Sequence, residues 1–212
     1  NDSHEQAFAK ALLKRAPEIA VSVSSEVQPE FREYERLSTT VLNAYLQPVM
    51  WHYLKTLEAG IAKLAPNASL GINQSSGGLM SVQRSREFPV RTALSGPAAG
   101  AVGAAHVARQ TRCRNIITLD MGGTSADVAL IRDYSVDLAF DRDVAGFPIR
   151  MPSVDVETVG AGGGSIAWFD RDGLLKVGPK SAGAYPGPAC YGNGGHEPTT
   201  TDANLLLGRL SS

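Results

Sequence analysis

The stretch Asn115–Ile131, N-I-I-T-L-D-M-G-G-T-S-A-D-V-A-L-I, constrains the fold more than any other part of the sequence. Its first apolar run, Ile116–Leu119, predicts a short strand, and Val128–Ile131 predicts a second one. Gly122-Gly123 interrupts the two runs and predicts that the strands are joined as a hairpin. Any fold for this chain must therefore accommodate two neighbouring strands around a glycine turn.

The turn of this predicted hairpin carries side chains suited to phosphate. Asp120 ends the first strand, and Thr124, Ser125 and Asp127 follow the glycines. Consecutive N–H groups in a glycine turn can form a cradle for phosphate, and a carboxylate beside it can hold a metal, directly or through water. An ordinary glycine hairpin is the alternative interpretation. The complete D-x-G-G-T-x-x-D pattern between two apolar strands favours the phosphate site.

Composition narrows the class of protein. The chain has 212 residues, of which 43% are hydrophobic, enough for one or two globular domains with a core. A net charge of −1 without long runs of one sign argues against nucleic acid or a membrane as partner. No apolar run reaches the roughly 20 residues that span a bilayer, and the polar N-terminus has no signal-peptide pattern. We therefore predict a cytoplasmic protein, and the absence of an initiating Met suggests a piece of a longer one.

Cysteine and histidine give no clear metal or disulfide pattern. Cys113 and Cys190 are too few for a disulfide framework. Cys190 and His196 lie in a segment dense in Gly and Pro, residues 178–198, which predicts a loop. Neither residue has partners at the spacing of a zinc site.

The region before the hairpin is predicted to be mainly helical. We expect a helix from Ser3 to about Arg15, a buried strand at Ile19–Val23, and a long helix from Glu33 or Ser38 to Leu64. Pro48 should kink this long helix or begin a second one. Its predicted core face consists of Val41, Tyr45, Val49, Tyr53 and Leu57.

A second glycine turn, Gln74–Gly78, follows a predicted strand at Leu70–Asn73. A structural turn and a loop on the substrate side are equally open interpretations. A helix rich in small residues is then predicted from Ser95, near Pro97, to about Gln110.

Beyond the hairpin, strands are predicted at Ser135–Phe140, Phe147–Pro152 and Val154–Val159. The last of them leads into a third glycine segment, Gly160 to Ser165, which lies between apolar strands and so predicts a tight backbone site rather than a linker. Ser165–Phe169 and Leu174–Val177 predict a hairpin. Asp202 is expected to be the N-cap of a last helix, Ala203–Leu207, with a metal or substrate role as the alternative.

Several stretches together resemble the hydantoinase/oxoprolinase A-subunit family, within the actin-like ATPase superfamily. The D-x-G-G-T-x-x-D turn is similar to the second phosphate motif of that superfamily. The further matching stretches are R-E-Y-E-R-L-S-T-T-V-L-N-A-Y-L (Arg32–Leu46), S-G-P-A-A-G (Ser95–Gly100), V-G-A-G-G-G-S (Val159–Ser165), P-G-P-A-C-Y-G (Pro186–Gly192) and T-D-A-N (Thr201–Asn204). They follow in order over nearly the whole chain.

The resemblance implies an α/β fold of the actin-like, ribonuclease H-like type, present in part as a mixed sheet with flanking helices. Residues 1–90 would form a helical α/β segment, and residues 91–212 the second phosphate-binding half of the ATPase domain. The first phosphate turn of the family has no counterpart in this chain, so the chain alone is expected to be inactive.

The resemblance also implies an enzyme: an ATP-dependent hydrolase that opens cyclic amides of the hydantoin or 5-oxoproline type by activating the amide carbonyl. A subunit of an ATP-dependent ketone carboxylase, or a non-catalytic module for nucleotide binding or assembly, is the alternative. The implied partner is a B subunit or fused B region, and the implied cofactors are ATP and Mg²⁺, with a monovalent cation as a further candidate.

The residues assigned to this chemistry are few. Asp120 and Asp127 are the catalytic candidates. The candidates for nucleotide binding are Gly122, Gly123, Thr124, Ser125, Gly160, Gly162, Gly163 and Gly164. The metal-ligand candidates are Asp120, Asp127 and Asp202.

Overall fold

A computed structural model describes residues 2–211 of the chain. Its helices are α1 (Asp2–Arg15), α2 (Ser24–Val27), α3 (Glu33–Leu64), α4 (Val82–Glu87), α5 (Ser95–Thr111) and α6 (Thr200–Leu206). Its strands are β1 (Gly71–Asn73), β2 (Leu79–Ser81), β3 (Ile116–Met121), β4 (Ala126–Arg132), β5 (Ser135–Val136), β6 (Leu138–Val144), β7 (Phe147–Val154), β8 (Val156–Val159), β9 (Ser165–Phe169) and β10 (Leu175–Ser181). The predicted α/β class is confirmed. None of the helices within residues 2–211 has the length and apolar character needed to cross a membrane.

The described chain divides into two compact units. The first contains the residues up to 103 together with 136–155, and the second contains 104–135 together with the residues from 156 onward. The strand predicted at Val154–Val159 is accordingly two strands, β7 and β8, separated at Asp155, where the chain passes from one unit to the other. The predicted domain boundary between residues 90 and 91 stays a prediction.

The core of the first unit gathers residues that are distant in sequence. Val27, Phe88, Val90, Ile149 and Met151 form one buried apolar cluster. Ile149 and Met151 come from β7, which pairs in antiparallel fashion with β6. Burial of such side chains contributes about 1.5–3 kcal/mol each, so this cluster holds the hairpin β6–β7 against the helical part of the unit.

The long helix α3 is confirmed from Glu33 to Leu64 and continues through Pro48, so no second helix begins there. Its predicted core face is wrong at four of five positions, and only Leu57 is half-buried. Val41, Tyr45, Val49 and Tyr53 are all more than half exposed, and the fully buried side chains are instead Leu54 and two polar ones, Thr39 and Asn43. The Asn43 amide donates to the Glu87 carbonyl oxygen at 2.9 Å and accepts from the Val90 N–H at 3.3 Å. These bonds make a buried polar position favourable there.

The second unit contains two small antiparallel sheets. Strand β4 pairs with β3 on one side and with β8 on the other. Strands β9 and β10 form a hairpin whose turn is closed by hydrogen bonds between Asp170 and Leu174 and between Gly173 and Asp170. Both the hairpin β3–β4 and the hairpin β9–β10 were predicted from sequence, and both are confirmed.

Three further predictions on local structure are wrong. Ile19–Val23 forms no strand in the described part of the chain, and the Ser22 hydroxyl donates to the Gln47 side chain of α3 at 3.0 Å. The segment predicted as loop from residue 178 begins inside β10, which extends to Ser181. The last helix starts at Thr200, so Asp202 lies inside its first turn and Thr199 is the N-cap.

Candidate phosphate-binding turn

The glycine turn of the second unit is closed by its own backbone. Strands β3 and β4 pair in register from Ile116 with Ile131 to Met121 with Ala126, which leaves Gly122–Ser125 as the connecting loop. The Gly122 N–H donates to the Ser125 carbonyl oxygen at 2.9 Å. The loop is therefore a short, defined turn at the end of two paired strands.

Two carboxylates lie directly opposite each other beside this turn. Asp120 on β3 is the cross-strand partner of Asp127 on β4. The Asp127 carboxylate accepts a hydrogen bond from the Thr158 hydroxyl at 2.6 Å, whereas the exposed Asp120 carboxylate accepts none from any residue among 2–211. Like charges directly opposite on a sheet are destabilising, so a bound cation would relieve this pair.

The third glycine segment packs onto the turn through backbone hydrogen bonds. The Gly163 N–H donates to the Gly122 carbonyl oxygen at 2.9 Å, and the Gly164 N–H donates to that of Gly123 at 2.6 Å. The Gly162 N–H donates to the Ser165 hydroxyl at 2.9 Å. The turn is thus held in place by a second backbone segment.

This packing leaves no room for side chains. A Cβ atom on Gly162 would lie 2.7 Å from the carbonyl carbons of both Gly123 and Thr124, and 2.8 Å from the Gly122 oxygen. A Cβ on Gly164 would lie 2.9 Å from the Gly123 oxygen, whereas one on Gly160 would meet nothing within 4 Å. The predicted tight backbone site is confirmed for Gly162 and Gly164, and Gly160 lies outside it.

Helix α6 supports the glycine segment from the other side. Both the N–H and the hydroxyl of Thr201 donate to the Gly163 carbonyl oxygen, each at 2.8 Å. Thr199 and Asp202 form a capping box at the start of the helix, in which the Asp202 carboxylate accepts from the Thr199 N–H at 2.8 Å. The first turn of α6 is therefore fixed where Thr201 meets the glycines.

Asp202 also binds the loop before α6. Its carboxylate accepts from the Cys190 N–H at 2.8 Å and from the Ala189 N–H at 3.3 Å. Burial of this carboxylate is the largest single influence and raises its pKa. The hydrogen bonds from Cys190 and Thr199 together outweigh burial and hold the pKa of Asp202 well below its usual range. Asp202 is thus a charged structural acceptor, and its predicted metal role stays a prediction.

The pKa of the Cys190 thiol is shifted in the opposite direction to that of Asp202. Its hydrogen bond to Asp202, followed by burial and the negative charge of that carboxylate, raises the pKa of Cys190. A raised pKa disfavours the reactive thiolate. The geometry therefore does not favour Cys190 as a nucleophile.

Three N–H groups of the turn are unused donors within the described part of the chain. Within residues 2–211, the N–H groups of Gly123, Thr124 and Ser125 donate no hydrogen bond. Gly123 and Thr124 are exposed. Three consecutive N–H groups without acceptors in a turn suit the oxygens of a phosphate.

The structure brings most of the predicted site residues together. Asp120, the Gly122–Ser125 loop and Asp127 form one edge, and Gly162–Gly164 lie directly beneath it. Sequence reasoning missed Thr158 and Thr201, which position Asp127 and the glycine segment. The T-T-T-D capping pattern around Thr201 was the only sequence signal that could have indicated either of them.

A metal site made of protein ligands alone is absent from the described part of the chain. No group of three or more His, Cys, Asp or Glu side chains lies close enough to hold an ion. Asp120 and Asp127 provide two carboxylates, which is the number that Mg²⁺ commonly takes from a protein when phosphate oxygens and water complete its shell. The donor set thus fits a metal that arrives with a nucleotide.

The α/β fold of this chain is similar to that of two solved enzymes. The solved structure of an ATP-dependent caprolactamase from Pseudomonas jessenii is similar over the whole chain, with a TM-score of 0.82 and 45% identity, and the chain covers 31% of it. The nucleotide-free structure of acetone carboxylase, from work on ATP-dependent acetone carboxylation, is similar over the whole chain with a TM-score of 0.76 and 29% identity, and the chain covers 30% of it.

The chain belongs to the hydantoinase/oxoprolinase family, whose model matches residues 36–212. It is 47% identical over 211 residues to caprolactamase subunit alpha of Pseudomonas jessenii, covering 100% of this chain and 30% of that protein. It is 43% identical over 193 residues to the 5-oxoprolinase of Saccharomyces cerevisiae, covering 90% of this chain and 14% of that protein. The chain thus spans less than a third of the length of these relatives.

Proposed function

We propose that this chain supplies a phosphate-binding turn to an ATP-dependent enzyme that opens cyclic amides of the hydantoin or 5-oxoproline type. The observation that carries the proposal is the set of free N–H groups on Gly123, Thr124 and Ser125, held between two carboxylates. The names of the caprolactamase and 5-oxoprolinase relatives support the amide as the substrate class.

The chemistry explains why such a site is needed. An amide carbonyl is a poor electrophile. Transfer of the γ-phosphoryl group of ATP to the carbonyl oxygen would release ADP and activate the carbon for attack by water. The ring C–N bond would then break, and hydrolysis of the resulting acyl phosphate would release phosphate and the ring-opened carboxylate. Transfer of phosphoryl depends mostly on positioning and on neutralising charge, rather than on covalent participation by the protein. The turn N–H groups hold phosphate oxygens, and Thr124 adds its hydroxyl.

Asp120 and Asp127 have different tasks in this proposal. Asp120 is exposed and accepts no hydrogen bond within the described chain, so it is free to hold Mg²⁺ or its water shell. Asp127 is oriented by the Thr158 hydroxyl at 2.6 Å and keeps one oxygen available for the same cation or for a monovalent one. Gly163 and Gly164 act beneath the turn by donating to its carbonyl groups, and Gly162 packs closely against it. The predicted contacts of Gly160, Gly162, Gly163 and Gly164 with nucleotide stay predictions.

An ATP-dependent ketone carboxylase is the second candidate. The acetone carboxylase structure has the same fold over this whole chain, at lower identity than the caprolactamase structure, 29% against 45%. Both candidates use the same phosphate turn, so they differ in the substrate that receives the phosphoryl group. In either case a B subunit or fused B region is the expected partner.

The test measures ATP hydrolysis by the full-length protein with its B component, with hydantoin, 5-oxoproline or caprolactam, or with acetone plus bicarbonate. Cyclic-amide-dependent ATP hydrolysis is expected, together with a ring-opened product. Asp120→Asn should lower that rate by roughly 100-fold, because several kcal/mol of charge stabilisation are lost. Calorimetric titration with ATP and Mg²⁺ should show the matching loss of affinity.

Asp172→Asn is the matched control, since it removes an exposed carboxylate from the turn between β9 and β10 of the same unit. It should leave the rate unchanged. Stimulation by acetone and bicarbonate alone would favour the carboxylase. Nucleotide binding that Asp120→Asn leaves intact would contradict the proposed turn itself.

A further inference from the structure

A cavity in the first unit is not used by the proposed nucleotide site. It has a volume of about 270 Å³, near the lower end of ligand pockets, which typically measure about 300–1,000 Å³. Polar residues Gln28, Gln74, Ser76 and Arg91 line it together with apolar ones that include Met151. All of these belong to the first unit.

Three polar side chains in this cavity lack protein partners among residues 2–211, whereas Thr39, which also lines it, donates to the Glu35 carbonyl oxygen and accepts from the Arg150 N–H. Gln28 is only 6% exposed, and within residues 2–211 its amide makes no hydrogen bond. Neither the Gln74 amide nor the Ser76 hydroxyl makes one in the described chain. These amide and hydroxyl groups are therefore available to form hydrogen bonds with a polar group of a ligand.

Arg91 supplies the only charge in the lining. Its guanidinium is half-buried, forms no ion pair with any described residue, and lies 4.8 Å from the centre of the Phe88 ring. Burial, followed by the positive charge of Arg84, lowers the pKa of Arg91. Because a guanidinium stays protonated in proteins, Arg91 gives the lining a positive charge that no described residue pairs.

The backbone around Arg91 is fixed by the second glycine turn. The buried Ser75 donates to the Arg91 carbonyl oxygen through its N–H at 2.7 Å and through its hydroxyl at 2.8 Å. The Ser75 carbonyl oxygen also accepts a hydrogen bond from the Val154 N–H at 2.7 Å. Gln74 and Ser76 are the chain neighbours of Ser75. The hydrogen bonds of Ser75 to Arg91 therefore fix the positions of Gln74 and Ser76 relative to Arg91 in the cavity lining.

We infer that this cavity binds a small organic monocarboxylate, with the carboxylate on Arg91 and a neighbouring polar group on the amides of Gln28 and Gln74. A planar guanidinium can bind a carboxylate through two parallel hydrogen bonds. No Asp or Glu lines the cavity, which argues against a cationic ligand. The walls formed by Val90, Met151 and Pro152 suit a carbon skeleton and are poor for a fully hydrated phosphate.

The first experiment titrates the full-length protein with butyrate and with butyramide, by calorimetry. The two probes share a carbon skeleton and differ in the charge that Arg91 would bind. Butyrate should bind at least about tenfold more tightly, as expected for hydrogen bonds to a charged group. Equal binding of the two, or phosphate binding as tightly as butyrate, would overturn the inference and leave a neutral-ligand or general anion site.

Two variants assign the effect to the cavity. Arg91→Gln should weaken butyrate binding about tenfold or more. Arg84→Gln is the matched control, because Arg84 lies 4.2 Å from the same Phe88 ring and does not line the cavity. It should change butyrate affinity by less than about twofold, since exposed charges at longer range are screened. Equal losses in the two variants would contradict a specific carboxylate site.

A measurement on the unsubstituted protein covers the case in which Arg91→Gln fails to fold. Phenylglyoxal modifies arginines, and peptide mass spectrometry gives the rate at each one. Butyrate should slow the modification of Arg91 severalfold and leave that of Arg84 unchanged, whereas butyramide should protect neither. Protection of both arginines, or of neither, by butyrate would refute the site. This test does not depend on ATP, so its failure would leave the proposed phosphate turn untouched.

Discussion

Two glycine turns in this chain are held in different ways. The Gly122–Ser125 turn of the second unit is held by backbone, since Gly163 and Gly164 donate to its carbonyl oxygens. The Gln74–Gly78 turn of the first unit is held by backbone and side chain together, because the N–H and the hydroxyl of Ser75 both donate to the Arg91 carbonyl oxygen. The first turn leaves backbone N–H groups without acceptors among residues 2–211, and the second leaves the side chains of Gln74 and Ser76 without partners there.

The difference between the two turns shows two ways in which glycine residues contribute to a binding site. Where the ligand oxygens are to be held by backbone, glycines let a second segment approach closely from behind, as at Gly162. Where side chains do the binding, glycine is needed only to turn the chain, as at Gly77 with its φ of +86°. Substitutions at these glycines should separate the two modes.

The largest effect is expected for Gly162→Ala. Its Cβ would lie 2.7 Å from backbone carbons of Gly123 and Thr124, and backbone cannot move aside without distorting the turn. We expect a loss of about 3 kcal/mol in the free energy of unfolding, measured by denaturant titration, together with weaker ATP binding. Gly160→Ala is the control, and because nothing lies within 4 Å of its Cβ, its effect should stay within about 0.5 kcal/mol. Equal effects at the two positions would break the comparison.

A smaller effect is expected for Gly77→Ala. Its Cβ would lie 2.6 Å from Val102 Cγ2 and 3.2 Å from Val154 Cγ2, which are side-chain rather than backbone atoms, and the left-handed backbone adds strain. We expect a loss of about 2 kcal/mol on thermal unfolding and a parallel loss of butyrate affinity. ATP binding should be unaffected. Gly78→Ala should cost less, because it meets only the end of the flexible Gln74 side chain at 3.1 Å. If Gly77→Ala lowered the affinity for ATP and left the affinity for butyrate unchanged, the assignment of the two turns would be reversed.

The smallest effect concerns the support behind the phosphate turn. Asp202→Asn should cost about 1 kcal/mol at pH 7, the typical value for a helix cap. The pKa of Asp202 is lowered in the folded state. Its contribution is therefore fully present above the unfolded pKa of about 3.9, and it is lost as the pH falls from there toward the folded pKa.

The difference in melting temperature between the original protein and Asp202→Asn should consequently shrink as the pH is lowered from 7 to 3. Asp172→Asn, at a carboxylate that accepts no hydrogen bond in the described chain, serves as the reference across the same range. A difference that stays constant with pH would mean that the ionised carboxylate is not what stabilises the first turn of α6.

Most of the phosphate turn could be predicted from sequence because its signals are local. The apolar runs on either side of Gly122-Gly123 specify two strands, and glycines between apolar strands at residues 160–165 indicate a close backbone approach. Hairpin register follows from chain neighbours, so the opposition of Asp120 and Asp127 depends on few long-range contacts. The supporting hydroxyls of Thr158 and Thr201 were missed, since their partners lie 31 and 38 residues away along the chain.

The long helix shows where local pattern failed. Its spacing of Val41, Tyr45 and Val49 correctly predicted an apolar stripe, but the prediction that this stripe is the core of the unit was wrong. Periodicity reports that residues share a face and does not report what covers that face. Burial of Asn43 became favourable only because the carbonyl oxygen of Glu87 and the N–H of Val90 lie within reach.

The sequence by itself determined the α/β class, the long helix, the two hairpins and the family. Each of these is encoded by short-range periodicity, turn residues or ordered motifs. Only the tertiary structure decided which face of α3 is buried, that Asp202 lies inside a capping box, and that Gln28, Gln74 and Arg91 meet around one cavity. Those outcomes depend on contacts between residues far apart in the chain, whose free energies exist only once the backbone brings the partners together.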